Sequence, residues 1–236
     1  MNITELIKRK RFAPGKGVTE LPPERGIRRF GFLLWNHLWK LVTLNLVFLM
    51  FSIPVVTIPA AVCGVNRVLI KLVREGNCFI WDEFWKEFKA NLFKSLPFGL
   101  LFAVLLFMSY YALSVSTSSG DISLSIFAGA IGLFILGLTL LFSSYVFVLL
   151  PSLALKNRHI AKNAFILMVT EWKTDLIILG GALGMVFLAV AFFPFTSILL
   201  LLIWFSLTQL MICAAVGEPL QRRIIGPYEK SQKEGA

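Results

Sequence analysis

The chain is predicted to be all-α, a polytopic membrane helix bundle with six transmembrane helices, two interfacial helices on the cytoplasmic side and both termini cytoplasmic. Three observations carry that prediction. The composition is 57% hydrophobic and 15% charged, with a mean hydropathy of +0.79, outside the range of soluble domains. Apolar stretches of roughly 20 residues or more, long enough to cross a hydrocarbon core as helix, recur along the sequence. Every charge except Asp121 falls into one of four groups, residues 1–40, 67–94, 156–175 and 218–234, each with more basic than acidic residues. Basic residues flanking membrane helices stay inside, so all four groups are placed in the cytoplasm.

Residues 1–31 form a basic cytoplasmic leader. Lys8, Arg9, Lys10 and Arg11 are followed by the breakers Pro14-Gly15 and Pro22-Pro23, with no cleavable signal pattern. The transmembrane domain occupies residues 32–216. Its first crossing, near 32–53, begins with Trp35, His37, Trp39 and Lys40, the aromatic and snorkelling side chains of an inner interface. Pro54 and Pro59 cannot both lie in one straight helix, so an outer turn follows. A second crossing near 58–73 returns inside, which spares six basic residues, Arg67 to Lys94, an outside position.

Residues 79–93 repeat Trp81, Phe84, Trp85, Phe88 and Leu92 at helical spacing, with Asp82, Glu83, Lys86, Glu87 and Lys89 opposite. That pattern predicts an interfacial amphipathic helix. Crossings near 96–115 and 122–150 follow, the first opening at Pro97 and the two joined by the polar turn Ser116–Gly120. A second interfacial helix is expected near 159–172. The last crossings lie near 176–193 and 195–216 around Pro194, and residues 217–236 form a cytoplasmic tail. A short internal match sets Glu87-Phe88-Lys89-Ala90-Asn91-Leu92 beside Glu171-Trp172-Lys173-Thr174-Asp175-Leu176, 84 residues later.

Chemistry is sparse. No phosphate-binding Gly-Lys loop appears, His37 and His159 have no triad or metal-ligand spacing, and Cys63, Cys78 and Cys213 read as free thiols. No cofactor, metal site or catalytic set is expected, and the basic charge is spread along membrane flanks rather than gathered into a nucleic-acid stripe. Anionic lipids of the inner leaflet are the partners that such a distribution attracts. Asn66 and Arg67 stand out because they fall within the second crossing, with Lys71 and Arg74 further along. Arg67 either meets a partner subunit, a polar cavity or a lipid headgroup, or snorkels to the interface and ends the crossing. Asn66, Arg67, Lys71, Arg74, Trp81, Phe84, Trp85 and Phe88 are the candidate partner-binding residues. Gly129 with Ser125, Gly132 with Ala128, and the pair Gly180 and Gly184 provide small-residue faces for helix packing.

The run Ser52-Ile53-Pro54-Val55-Val56-Thr57-Ile58-Pro59-Ala60-Ala61, with Lys71, Arg74, Glu75, Phe84-Trp85, Phe88-Lys89-Ala90-Asn91 and Lys94, resembles the YesL-like family of bacterial membrane proteins. Relatives place glycine before the second proline of the turn, where this chain has Ile58. The resemblance implies an association with carbohydrate ABC importers. This chain would then be a non-enzymatic accessory subunit in the bacterial cell membrane, bound to the permease subunits. The competing expectation is a small independent transporter or channel built around Arg67.

Overall fold

A computed structural model describes residues 27–226 except 77, 154 and 194–199. Most of the basic leader, the turn at Pro194 and the last ten residues of the tail lie outside the described residues. Among those described there is no strand. The helices are α1 (Ile27–Phe51), α2 (Ile58–Glu75), α3 (Ile80–Ser118), α4 (Ile122–Leu149), α5 (Asn157–Thr170), α6 (Trp172–Ala191) and α7 (Phe205–Leu220), with a short 3-10 turn at Val55–Thr57 and π turns at Leu200–Trp204 and Gln221–Ile225. Six helical stretches are long and apolar enough to cross a membrane.

The connections follow from local chemistry. Between α1 and α2, Pro54 and Pro59 have no N–H to satisfy, while Thr57 N–H donates to Pro54 O at 2.9 Å. The Thr57 hydroxyl lies 2.6 Å from both Phe51 O and Pro54 O. At the other end of α2, Gly76 takes φ 77°, which favours glycine, and its N–H closes the helix on Leu72 O. Asp121 caps α4, its side chain accepting from Ser123 N at 2.9 Å. His37 interrupts α1 with φ −125° and ψ 22°, separating an initial segment from the apolar remainder.

The interfacial helix and the third crossing, expected as separate elements, form the single helix α3. Pro97 costs little continuity because only one backbone donor is missing, and the helix runs through it. A Cβ on Gly64 would meet the Phe84 ring at 2.7 Å, and one on Gly99 would meet Pro59 Cγ at 2.2 Å. Roughly 7.5 Å of α2 thus reaches between points separated by roughly 22 Å of helix on α3. Pro97 lies within that stretch of α3. Past Gly99, α3 pairs with α4. Ser109 Oγ donates to Gly132 O at 2.8 Å, and Ser116 and Ser125 exchange hydroxyl-to-carbonyl bonds.

The helices close into a ring. α2, α4 and α7, which all run toward the charged end, touch one another at the centre. Outside them, α1 packs on α2 and α7, α3 on α2 and α4, and α6 on α4 and α7. The bundle is therefore three helical hairpins in cyclic order. Each outer helix carries an aromatic–lysine pair near the charged end: Trp39-Lys40, Phe88-Lys89 and Trp172-Lys173. The last two belong to the 84-residue match; the first shares with them only the aromatic–lysine pair. The centre is filled by Ala60, Ala61, Val65, Leu69, Tyr145, Leu149, Leu210 and Val216, all buried.

Candidate functional site

The polar residues expected to matter gather at the charged end of the central helices. Proline creates the need. Pro151 lies four residues after Phe147 and has no N–H, so the Phe147 carbonyl is left without its helical donor. Asn66, fully buried on α2, provides one: its Nδ2 donates to Phe147 O at 2.9 Å. Its Oδ1 lies 3.5 Å from Cys213 Sγ, which donates to it. One amide thereby joins α2, α4 and α7.

Arg67 continues the same repair. Its Nη1 donates to Pro151 O at 3.0 Å, placing a cation on the open carbonyls that end α4. Its Nε faces Glu83 Oε2 at 3.5 Å and Glu87 Oε2 at 3.9 Å, and Lys71 Nζ reaches Glu83 Oε1 at 2.5 Å. Asn91 Nδ2 holds Glu87 Oε1 at 2.5 Å. Two cations and two carboxylates thus balance, tying α2 to α3 and α4. The guanidinium is occupied by its own chain, which neither the lipid-headgroup nor the snorkelling expectation provided for. Arg74 sits in the exposed last turn of α2.

The aromatic stripe divides. Phe84 and Phe88 are 0% and 7% exposed, stacked on each other and packed at a tilt against Phe51. Burying each stabilises the fold by about 2–3 kcal/mol. Trp81 and Trp85 are 54% and 40% exposed, and Lys89 Nζ lies 4.4 Å from the centre of the Trp85 ring. The physical reason is phase. Phe84, Phe88, Asn91 and Ser95 line the inward face, with the tryptophans on one flank and Glu83 and Glu87 on the other. Of the aromatic candidates, only the tryptophans present substantial surface to a partner.

The small residues also divide. Gly129 and Gly132 face α3, where an added Cβ would lie 2.8 Å from Ser116 Oγ and from Leu113 Cγ respectively. Gly180 and Gly184 meet nothing within 4 Å; Gly181 is the residue of α6 that faces α7, against Met211. The spacing of a small-residue pair does not fix which side of a helix looks inward.

A second cluster was not expected. Glu171, at the junction of α5 and α6, is buried, and Arg222 Nη2 donates to its Oε1 at 2.7 Å while Arg223 Nε donates to the same oxygen. Burial pushes the Glu171 carboxyl up, but hydrogen bonds from Arg223 and Arg222 outweigh it and hold the group below the usual carboxylate range. Beside it Tyr145 OH donates to Asp175 Oδ1 at 2.7 Å. The signal was available in the 84-residue match, which sets Glu171 and Asp175 where Glu87 and Asn91 stand. Both glutamates anchor arginines.

Among the described residues, no three His, Cys, Asp or Glu side chains are grouped to hold a metal ion. No curated protein and no solved structure matches the chain. Residues 41–113, running from within α1 through α2 into α3 and containing most of the first polar cluster, match the model of a family described as "Protein of unknown function, DUF624", in keeping with the YesL-like resemblance over the same stretch.

Proposed function

We propose that this membrane-type helical protein is a non-enzymatic accessory subunit of a carbohydrate ABC importer, with its charged end in the cytoplasm. The observation that carries a docking role is the division of the α3 stripe. Phe84 and Phe88 fix the helix to the bundle, so Trp81 and Trp85 are exposed on a rigid support. Rigid tryptophans lose little freedom on association and are favoured at the centres of interfaces. The importer as partner comes from the YesL-like resemblance. The orientation comes from the positive-inside tendency of the four basic groups. The filled centre of the ring favours this reading over an independent transporter with a path along its axis.

The test is co-purification of the permease with a Trp81→Ser/Trp85→Ser variant from native membranes. The expected outcome is loss of at least about 1 kcal/mol of association free energy per tryptophan, seen as depletion of the permease from the eluate. Trp85 also packs on Phe51 and Phe88, so Trp81→Ser alone, at the more exposed position, is the variant in which the loss should appear with folding unchanged. Full recovery of the permease with a monodisperse variant would defeat the docking assignment.

A further inference from the structure

We propose that Arg222 and Arg223 form a binding site for the phosphate of an anionic phospholipid. The two guanidinium groups converge on one oxygen of the buried Glu171, so their positions are fixed by a carboxylate that cannot move away into water. Each arginine uses a single N–H on Glu171, and the neighbouring Asp175 is engaged by Tyr145 rather than by either guanidinium. Among the described residues their remaining guanidinium N–H groups take no hydrogen-bond acceptor. A phosphodiester carries one negative charge and several acceptor oxygens, and planar guanidinium forks match that geometry.

The surroundings select a lipid. Beside Arg223 runs a groove of about 280 Å³, lined by Asn163, Ile166, Leu167 and Ile224. Apolar walls next to a cationic end suit a headgroup joined to an acyl chain. The groove lies between α5 and the π turn after α7, at the charged end of the bundle where basic residues flank the membrane helices and anionic headgroups sit. A zwitterionic choline headgroup would bring a cation toward two arginines, whereas phosphatidylglycerol adds only neutral hydroxyls.

The experiment titrates the purified full-length chain in detergent with phosphatidylglycerol, phosphatidylcholine or inorganic phosphate, reading bound lipid by native mass spectrometry. The expected result is at least about tenfold tighter binding of phosphatidylglycerol than of phosphatidylcholine, because both carry the phosphate and only choline brings a cation toward the two arginines. Arg222→Gln/Arg223→Gln should abolish the preference. Arg222→Lys/Arg223→Lys, which keeps cations beside Glu171 and so protects folding, should weaken phosphatidylglycerol binding about tenfold. Lys86→Gln/Lys94→Gln, removing exposed charges elsewhere, should leave it unchanged. Equal binding of the two lipids, or equal binding by the lysine variant and the parent, would overturn the site. Inorganic phosphate displacing phosphatidylglycerol at equal concentration would overturn the lipid as its occupant.

Discussion

Asn66→Ala should destabilise the protein by about 2 kcal/mol, and the loss should depend on Pro151. The magnitude follows from the groups that Asn66 serves. Its amide supplies the donor that Phe147 O lacks, at 2.9 Å, and accepts a weaker bond from Cys213 at 3.5 Å. Leaving a buried carbonyl unsatisfied costs about 1–3 kcal/mol, whereas interhelical hydrogen bonds in membranes average only about 0.6 kcal/mol. The Phe147 carbonyl belongs at the upper side of that comparison because the proline denies it a helical donor. At about 2–4 °C per kcal/mol for a chain of this size, the midpoint of thermal unfolding in detergent should fall by about 4–8 °C. Pro151→Ala restores an N–H four residues after Phe147, in a segment where Leu150 still has helical φ and ψ. In that background Asn66→Ala should cost about 1 kcal/mol less, a coupling readable from a double-mutant cycle. Equal losses in both backgrounds would refute the account of Asn66 as the substitute for a missing backbone donor.

Three further outcomes are expected. Gly99→Ala drives a methyl into the rigid ring of Pro59 and should cost about 1–3 kcal/mol. Gly180→Ala and Gly184→Ala, in open positions on α6, should be neutral or stabilise by up to about 1 kcal/mol, all read as thermal midpoints. Because Glu171 titrates below its unfolded value, its contribution to stability is fully present above the ordinary glutamate pKa of about 4.3. That contribution is lost as pH falls through the lowered folded value. The acid limb of the midpoint-against-pH profile should therefore flatten in Glu171→Gln; an unchanged limb would assign acid sensitivity to other carboxylates.

Hydropathy made the six long apolar helices legible because length and composition alone decide whether a segment suits lipid. Pro54 and Pro59 marked the first connection for an equally local reason, since neither can continue a helix. What escaped the sequence was phase and distance. Phe84 and Trp85 are neighbours of the same character, yet about 100° of helical rotation puts one in the core and the other on the surface. Gly180 and Gly181 differ in the same way. Asn66 and Arg67 were visible as polar residues in an apolar run, but the two carbonyls they serve lie more than 80 residues away, at the end of α4 where Pro151 stops the helix. A buried asparagine beside a proline-ended helix is a pairing that no local pattern reports.

The cyclic order of the hairpins has a consequence for biogenesis. α7 leaves the ribosome long after α1 and α2, yet Asn45 on α1 accepts from Ser206 N at 3.1 Å, Phe48 stacks on Phe205 at 3.6 Å, and Asn66 accepts from Cys213. The α1–α2 hairpin is therefore sealed by a helix synthesised well after it. Until α7 is made, the Asn45 and Asn66 side-chain carbonyl oxygens lack the donors that Ser206 and Cys213 bring, so insertion of α7 completes the packing of a hairpin already in the membrane.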